Sequence, residues 1–334
     1  MVVPMNLSTS YLGLELTSPY IAGASPMSAQ LDYVKRLEEA GCAAVVLPSL
    51  FEEQITLATS GTIRHRDPFD PQMAGAIESF PAAEDYAFQP DEYLNQLRLV
   101  KRAVSIPVIA SLNGTTAEAW LRHAVKLQDA GADALELNMY QVVTGLDAAG
   151  MAIESQLRDV VHEMKRLLRI PIAIKLTPFY TAFGNVARQL DRAGADGLVM
   201  FNRFYQPDID IKTMSTVPSV ELSRSAELLL RLHWLANLYG RLDADLAASG
   251  GIETPDDGIK ALLAGADAVQ LVSAILRHGP GHFKMMRQGL ERWMEWHHFN
   301  GLDEVRGRLS TSGLEDPEAV ERANYIRTLQ SWKV

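Results

Sequence analysis

Cysteine is nearly missing from this chain: Cys42 is the only one in 334 residues. A disulfide within the chain is therefore excluded, and so is a cysteine-ligated iron–sulfur cluster or zinc–thiolate site. Positive charge is also short. Lys and Arg number 31 against 41 Asp and Glu, a formal net charge of −10. That balance argues against an electrostatic nucleic-acid binder and gives no reason to expect an anionic membrane surface as partner. No apolar run approaches the length of about 18 residues that a membrane span needs. The opening MVVPMNLSTS lacks the basic and apolar regions of a signal peptide, so cytoplasmic residence is the expectation. What remains is ordinary globular material, with 47% apolar and 22% charged residues and ample substance for a core.

One pattern recurs four times, as EAGCAAVVLP (39–48), DAGADALELN (129–138), RAGADGLVMF (192–201) and LAGADAVQLV (263–272). Each reads as a helix ending in Ala-Gly and followed by an apolar run. Glycine suits the left-handed position past a helix C-terminus, and the run reads as a strand buried on both faces. Between these units lie YIAGAS, IPVIASLNG, IPIAIKLTP and ADLAASGGI, each leading into a helical stretch. Pro107 and Pro171 stand at strand starts, where a missing N–H is tolerated. The count is eight strands, near residues 20, 43, 106, 133, 170, 196, 244 and 267, which predicts an α/β fold of the TIM (β/α)8 barrel type. The stretches 49–90 and 202–221 are long for loops leaving strands two and six. Both lie on the face where barrels place their sites, and they are expected to cover substrate. The segment LSTSYLGLELTSP predicts an N-terminal hairpin that plugs the opposite end.

Polar residues at the strand ends supply Ser25, Ser111, Asn113, Asn138, Lys175, Asn202, Ser249, Gly250, Gly251 and Ser273. This set holds no His, Asp and Glu cluster with metal-ligand spacing, so no metal is expected. Gly250 and Gly251 open a helix after strand seven, and Ser273 follows strand eight. Together they form a candidate phosphate cradle. Lys175 is a charge inside an apolar strand and needs either an anion beside it or a role as a Schiff-base nucleophile. A Lys175-dependent aldolase or isomerase of a phosphorylated substrate and a flavoprotein both satisfy these residues.

The motifs GASP, IASLNG, LELN, IKLTP, SGGIET and VQLVSAIL, with RHGPGHF beyond the last, resemble the class 1 dihydroorotate dehydrogenases. The likeness covers about residues 5–310 and is greatest to the dihydroorotate dehydrogenase-like branch. It implies an FMN-binding barrel domain over residues 1–310 and a peripheral helical tail over 311–334. It further implies an oxidoreductase acting on a dihydropyrimidine, with hydride passing between substrate and flavin N5. Ala24 and Ser25 would lie along the flavin, and Ser111 and Asn138 would hydrogen-bond flavin or substrate. Lys175 would face the flavin N1 side, Gly250, Gly251 and Ser273 would hold its phosphate, and Asn113 and Asn202 would contact substrate. The same resemblance implies a homodimer and an electron acceptor of unknown kind, with a protein among the candidates.

The departures fall on the substrate side. Where the family's strand four ends Asn-Leu-Ser-Cys-Pro-Asn, with the cysteine as base, this chain has Asn138, Met139, Tyr140, Gln141, Val142 and Val143. Tyr140 and Gln141 thus become the candidate catalytic residues beside Lys175. Pro48 stands at the family's strand-two lysine, and ESFPAAED (78–85) stands at its Asn-rich loop. Arg64, His65 and Arg66 in TIRHRDP offer a further candidate base and carboxylate-binding cations. A flavin-binding protein without catalysis of its own is the remaining alternative.

Overall fold

The structure is a computed structural model that describes residues 5–60, 86, 88–114, 117–141 and 143–331. Arg64, His65, Arg66 and the 78–85 segment lie outside the described residues. The chain opens with an antiparallel hairpin of β1 (Thr9–Tyr11) and β2 (Leu14–Leu16). There follow β3 (Tyr20–Ala22), α1 (Leu31–Glu39), β4 (Val45–Phe51), α2 (Glu52–Ser60), α3 (Pro90–Ala103) and β5 (Val108–Asn113). Next come α4 (Ala117–Asp129), β6 (Ala134–Asn138), α5 (Gly150–Leu167), β7 (Ile172–Leu176), α6 (Phe183–Arg192) and β8 (Gly197–Met200). A second hairpin, β9 (Asp208–Asp210) and β10 (Ser215–Val217), precedes α7 (Leu228–Leu238), β11 (Asp245–Ser249), α8 (Pro255–Ala264) and β12 (Ala268–Leu271). The chain then forms α9 (Ser273–His278), α10 (His282–His297) and α11 (Pro317–Ser331).

Strands β3 to β8, β11 and β12 close into one parallel barrel, with β12 pairing back onto β3. These are the eight strands expected from the repeat. Gly41, Gly131, Gly194 and Gly265 each take a positive φ, from 91° to 119°, at the junction between helix and strand. Only glycine adopts that conformation without strain. The aspartate that follows three of these glycines has its own task. Asp133, Asp196 and Asp267 accept the backbone N–H of Val108, Ile172 and Leu246 at 2.7–2.8 Å. Lys101, Lys165 and Arg306 pair with the same three carboxylates at 2.6–2.8 Å. Each therefore clamps the start of a neighbouring strand at the N-terminal end of the barrel.

That end is closed by the first hairpin. Inside the barrel, Ala44, Ala134, Ala173, Ala247 and Ala268 leave room that Tyr11, Leu12 and Leu16 fill. A Cβ on Gly197 would lie 2.6 Å from Leu12 Cδ2, and the Leu12 N–H donates to Asp245 Oδ2 at 2.6 Å. A larger core packs between the outer barrel face and the helices.

Two expectations about the loops change in detail. β4 runs on through Pro48 to Phe51 and leads directly into α2, so residues 49–60 are strand and helix. A register shift between Val46 and Ser49 absorbs the proline's missing donor. The stretch after β8 carries the exposed β9–β10 hairpin. Beyond residue 300, Leu302 and Val305 are buried and Arg306 donates to Thr9, while α11 buries no residue. Among the described residues no helix is long and apolar enough to cross a membrane.

Candidate active site

Side chains alternate along a strand, so one face of every barrel strand points inward. In β6 that face carries Glu136 and Asn138, and in β7 it carries Ala173 and Lys175, with Asn138 in register with Lys175. At the C-terminal mouth Asn138 and Lys175 open onto a cavity of about 310 Å3. Ala24, Ser25, Asn113, Asn138, Lys175 and Asn202 all line it, as do Ser49 and Gln54 and the aromatic rings of Phe51, Tyr86, Phe88 and Tyr93. The Asn202 amide donates to Asn138 Oδ1 at 2.9 Å, which fixes both amides. Ser111 is fully buried and meets the cavity through Ser49, whose hydroxyl lies 2.7 Å from its own, and through Tyr93, whose hydroxyl accepts its N–H at 3.1 Å.

Lys175 does not stand alone. Its ammonium donates to Gln270 Oε1 at 2.9 Å and to Glu136 Oε1 at 3.3 Å. The Gln270 amide in turn donates to Glu136 Oε2. The lysine and glutamate side chains are 7% and 2% exposed, so this is a buried, mutually satisfied pair. Glu136 is the residue that inspection of the strand ends overlooks. The signal was present as a carboxylate in the middle of ALELN, one strand from the lysine that stands next to last in IAIKL.

The barrel order β11, β12, β3 brings the Gly250–Gly251 turn, Ser273 and the Ala24–Ser25 pair side by side on the rim. Both glycines take positive φ, 86° and 78°. The Gly251 N–H donates to Ser223 Oγ at 3.0 Å, and Ser223 contacts Ser273 Oγ through both its N–H and its hydroxyl at 3.0 Å. Two guanidinium groups support the turn. Arg231 donates to Ser249 O at 2.9 Å, and Arg277 donates to Ser223 O at 2.9 Å. The start of α8 is capped internally: Asp257 Oδ2 accepts from Ser225, Glu253 and Thr254 at 2.7–3.1 Å. Burial works against that carboxylate's charge, yet the hydrogen bonds from Ser225, Thr254 and Glu253 hold its pKa below the ordinary range. The α8 terminus thus serves its own cap, and the glycine turn with Ser273 is what this rim leaves as a candidate anion cradle.

The dihydroorotate dehydrogenase family model matches residues 89–294, more than half of the chain. The chain belongs to the dihydroorotate dehydrogenase family. A dihydroorotate dehydrogenase B (NAD(+)) catalytic subunit from Thermoplasma volcanium is 27% identical over 310 residues, 90% of this chain and 98% of the relative. The same-named subunit from Methanothermobacter thermautotrophicus is 29% identical over 308 residues, 90% and 97% of the two chains. The chloroplastic dihydropyrimidine dehydrogenase (NADP(+)) of Arabidopsis thaliana is 25% identical over 329 residues, 90% of this chain and 76% of that one. The chain is thus an oxidoreductase of the class that acts on CH–CH groups.

Within this dihydroorotate dehydrogenase-family barrel, the residues after Asn138 turn away from the Lys175 cavity. Tyr140 packs against Phe204, with ring centroids 6.1 Å apart, and its hydroxyl accepts the Tyr205 N–H at 2.9 Å. Gln141 lines a second cavity of about 310 Å3 with Met139, Glu154, Tyr180 and Phe204. Cys42 sits before β4 at the opposite end of the barrel, buried, with Sγ 2.9 Å from Ala44 O. Burial raises its thiol pKa to about 12.

Proposed function

We propose that the chain is an FMN-dependent oxidoreductase that transfers hydride between a dihydropyrimidine-like substrate, dihydroorotate or a relative of it, and flavin N5. The observation that carries this reading is Lys175, a buried ammonium at the floor of a cavity otherwise lined by amides, hydroxyls and aromatic rings. Two of its three protons are engaged by Gln270 and Glu136, which leaves the third to face the cavity. The chain's residues fit the cofactor. An elongated ligand with an anionic end would meet the Gly250–Gly251 turn and the Ser273 hydroxyl, with the Gly251 N–H exchanging its Ser223 partner for the anion, and its ring would meet Ala24, Ser25, Asn138 and Lys175. Bound FMN would supply the hydride acceptor, a chemistry that no side chain of this cavity provides.

The residues themselves bind and orient. Asn113, Asn138 and Asn202 present directional donors and acceptors suited to the carbonyl and N–H edges of a cyclic amide. Ser111 holds Ser49 in place from behind. Lys175 places positive charge where a flavin becomes more negative on reduction. After β6, the Tyr140 hydroxyl accepts one hydrogen bond and has its own O–H left to donate, while Gln141 opens onto the neighbouring cavity. An aldolase role for Lys175 requires a free amine, whereas here the ammonium donates to a carboxylate and an amide oxygen. The name "catalytic subunit" borne by the relatives supports electron transfer onward to a partner protein, and a cytoplasmic homodimer is part of the same proposal.

The test is spectroscopic. The full chain, purified and supplied with FMN, should show bound-flavin absorbance, and anaerobic dihydroorotate or dihydrouracil should bleach it within minutes. Absence of flavin binding overturns the proposal. Binding without bleaching by any dihydropyrimidine reduces the protein to a flavin carrier.

A further inference from the structure

The geometry points to Glu136 as a positioning residue that sets the charge felt by the cofactor through Lys175, an inference that rests on the flavin reading above. Glu136 lies two residues before Asn138 on the inward face of β6, one side-chain layer or about 6–7 Å beneath the cavity floor. It does not line the cavity. Its two oxygens are taken by Lys175 and by Gln270, and Gln270 also accepts from Lys175, so the three side chains close a ring. A lysine tied at two points has one orientation for its remaining proton. The pair is also neutral overall, so a cofactor above it meets a directed hydrogen-bond donor whose charge is largely balanced from below.

Two consequences follow from removing one member at a time. Glu136→Gln keeps the side chain's shape but leaves Lys175 with an uncompensated charge. Negative charge arriving on a flavin is then better stabilised, because a unit charge several ångströms away at the effective dielectric of such a site shifts an equilibrium by about tenfold or more. Lys175→Met leaves Glu136 buried without a cation, and an unpaired buried carboxylate is strongly destabilising or takes up a proton.

The measurement is the midpoint potential of the FMN-loaded full chain, titrated spectroelectrochemically. E136Q should move the oxidised–reduced equilibrium at least tenfold toward reduced flavin, a rise of about 30 mV for a two-electron couple. E136D, which keeps the charge, should stay within about threefold of the parent. On a K175M background, E136Q should add no shift, because the buried carboxyl left without its cation takes up a proton and has no charge to remove. An unchanged potential in E136Q, or a shift that survives in K175M, overturns the inference while the flavin reading stands. If the single E136Q variant does not fold, the thermal midpoint of the flavin-free protein decides. K175M/E136Q should melt higher than K175M, and equal or lower melting shows that Glu136 does not answer Lys175. Failure of the parent chain to bind FMN overturns the flavin reading itself, and this inference with it.

Discussion

Asp267 shows how a single buried carboxylate ties pH to folding. It clamps the start of β11 through Leu246 N–H and pairs with Arg306, yet burial dominates and its pKa rises to about 6. A carboxyl whose pKa is higher in the folded than in the unfolded chain favours folding below about pH 4, and loses that contribution as pH rises through 6. The span of about two pKa units corresponds to on the order of 2–3 kcal/mol. Urea unfolding of the parent and of Asp267→Asn at pH 4.5 and pH 7 should therefore diverge. The parent should lose on the order of 2 kcal/mol more than the variant as pH rises. Equal pH slopes would show that Asp267 titrates at its ordinary value. Site residues are less legible in the sequence than this clamp, which sits in a visible repeat. Glu136 finds its partners 39 and 134 residues away. Ser223 meets Ser273 across 50 residues. No local spacing encodes such meetings, and only the closed barrel brings them about.

Elements, by contrast, announce themselves locally. A helical period, a glycine and an apolar run complete one unit within about 30 residues, so eight units can be counted without any long-range knowledge. The plug could be placed because β1 and β2 precede the first barrel strand in a chain whose sites lie at the other end. What could not be read was its depth: the hairpin penetrates because Ala44, Ala134, Ala173, Ala247 and Ala268 face inward around it. β4 was foreshortened in the sequence for a related reason. A proline inside a strand normally ends it, and only the register shift seen in the structure lets it continue to Phe51. The plug makes its own prediction. Leu16→Ala should cost about 2–5 kcal/mol, the range for emptying a leucine site in a closely packed core. Flavin affinity should not change, because the cavity and the plug occupy opposite ends of the barrel. Equilibrium unfolding and FMN titration of the same preparation test both halves. Loss of FMN affinity in a folded variant would contradict the separation.

At the scale of the whole molecule, the barrel divides its labour along its axis. The N-terminal end holds the three aspartate clamps, the hairpin and Tyr11, whose phenol pKa is raised first by burial and then by the charges of Glu136, Asp245 and Asp267. The C-terminal end holds Lys175, the strand-end amides and the glycine turn. Cys42 belongs to the first group. Cys42 precedes β4 and Ser49 lies near its far end, seven residues on, a span of up to about 23 Å at about 3.3 Å per residue. Its thiol, raised to about 12, is neither near the cavity nor ionised at neutral pH. The proton lost or gained by a substrate over Lys175 must therefore pass through an oxygen or nitrogen group, and the chain's one thiol takes no part. Cys42→Ala should leave the rate of flavin bleaching within about twofold of the parent between pH 6 and pH 9. A well-placed general base would instead cost about 10²–10⁴-fold on removal. A fall of that size in folded, flavin-loaded C42A would mean that the cysteine reaches the substrate after all, and that the two ends of the barrel are not separate.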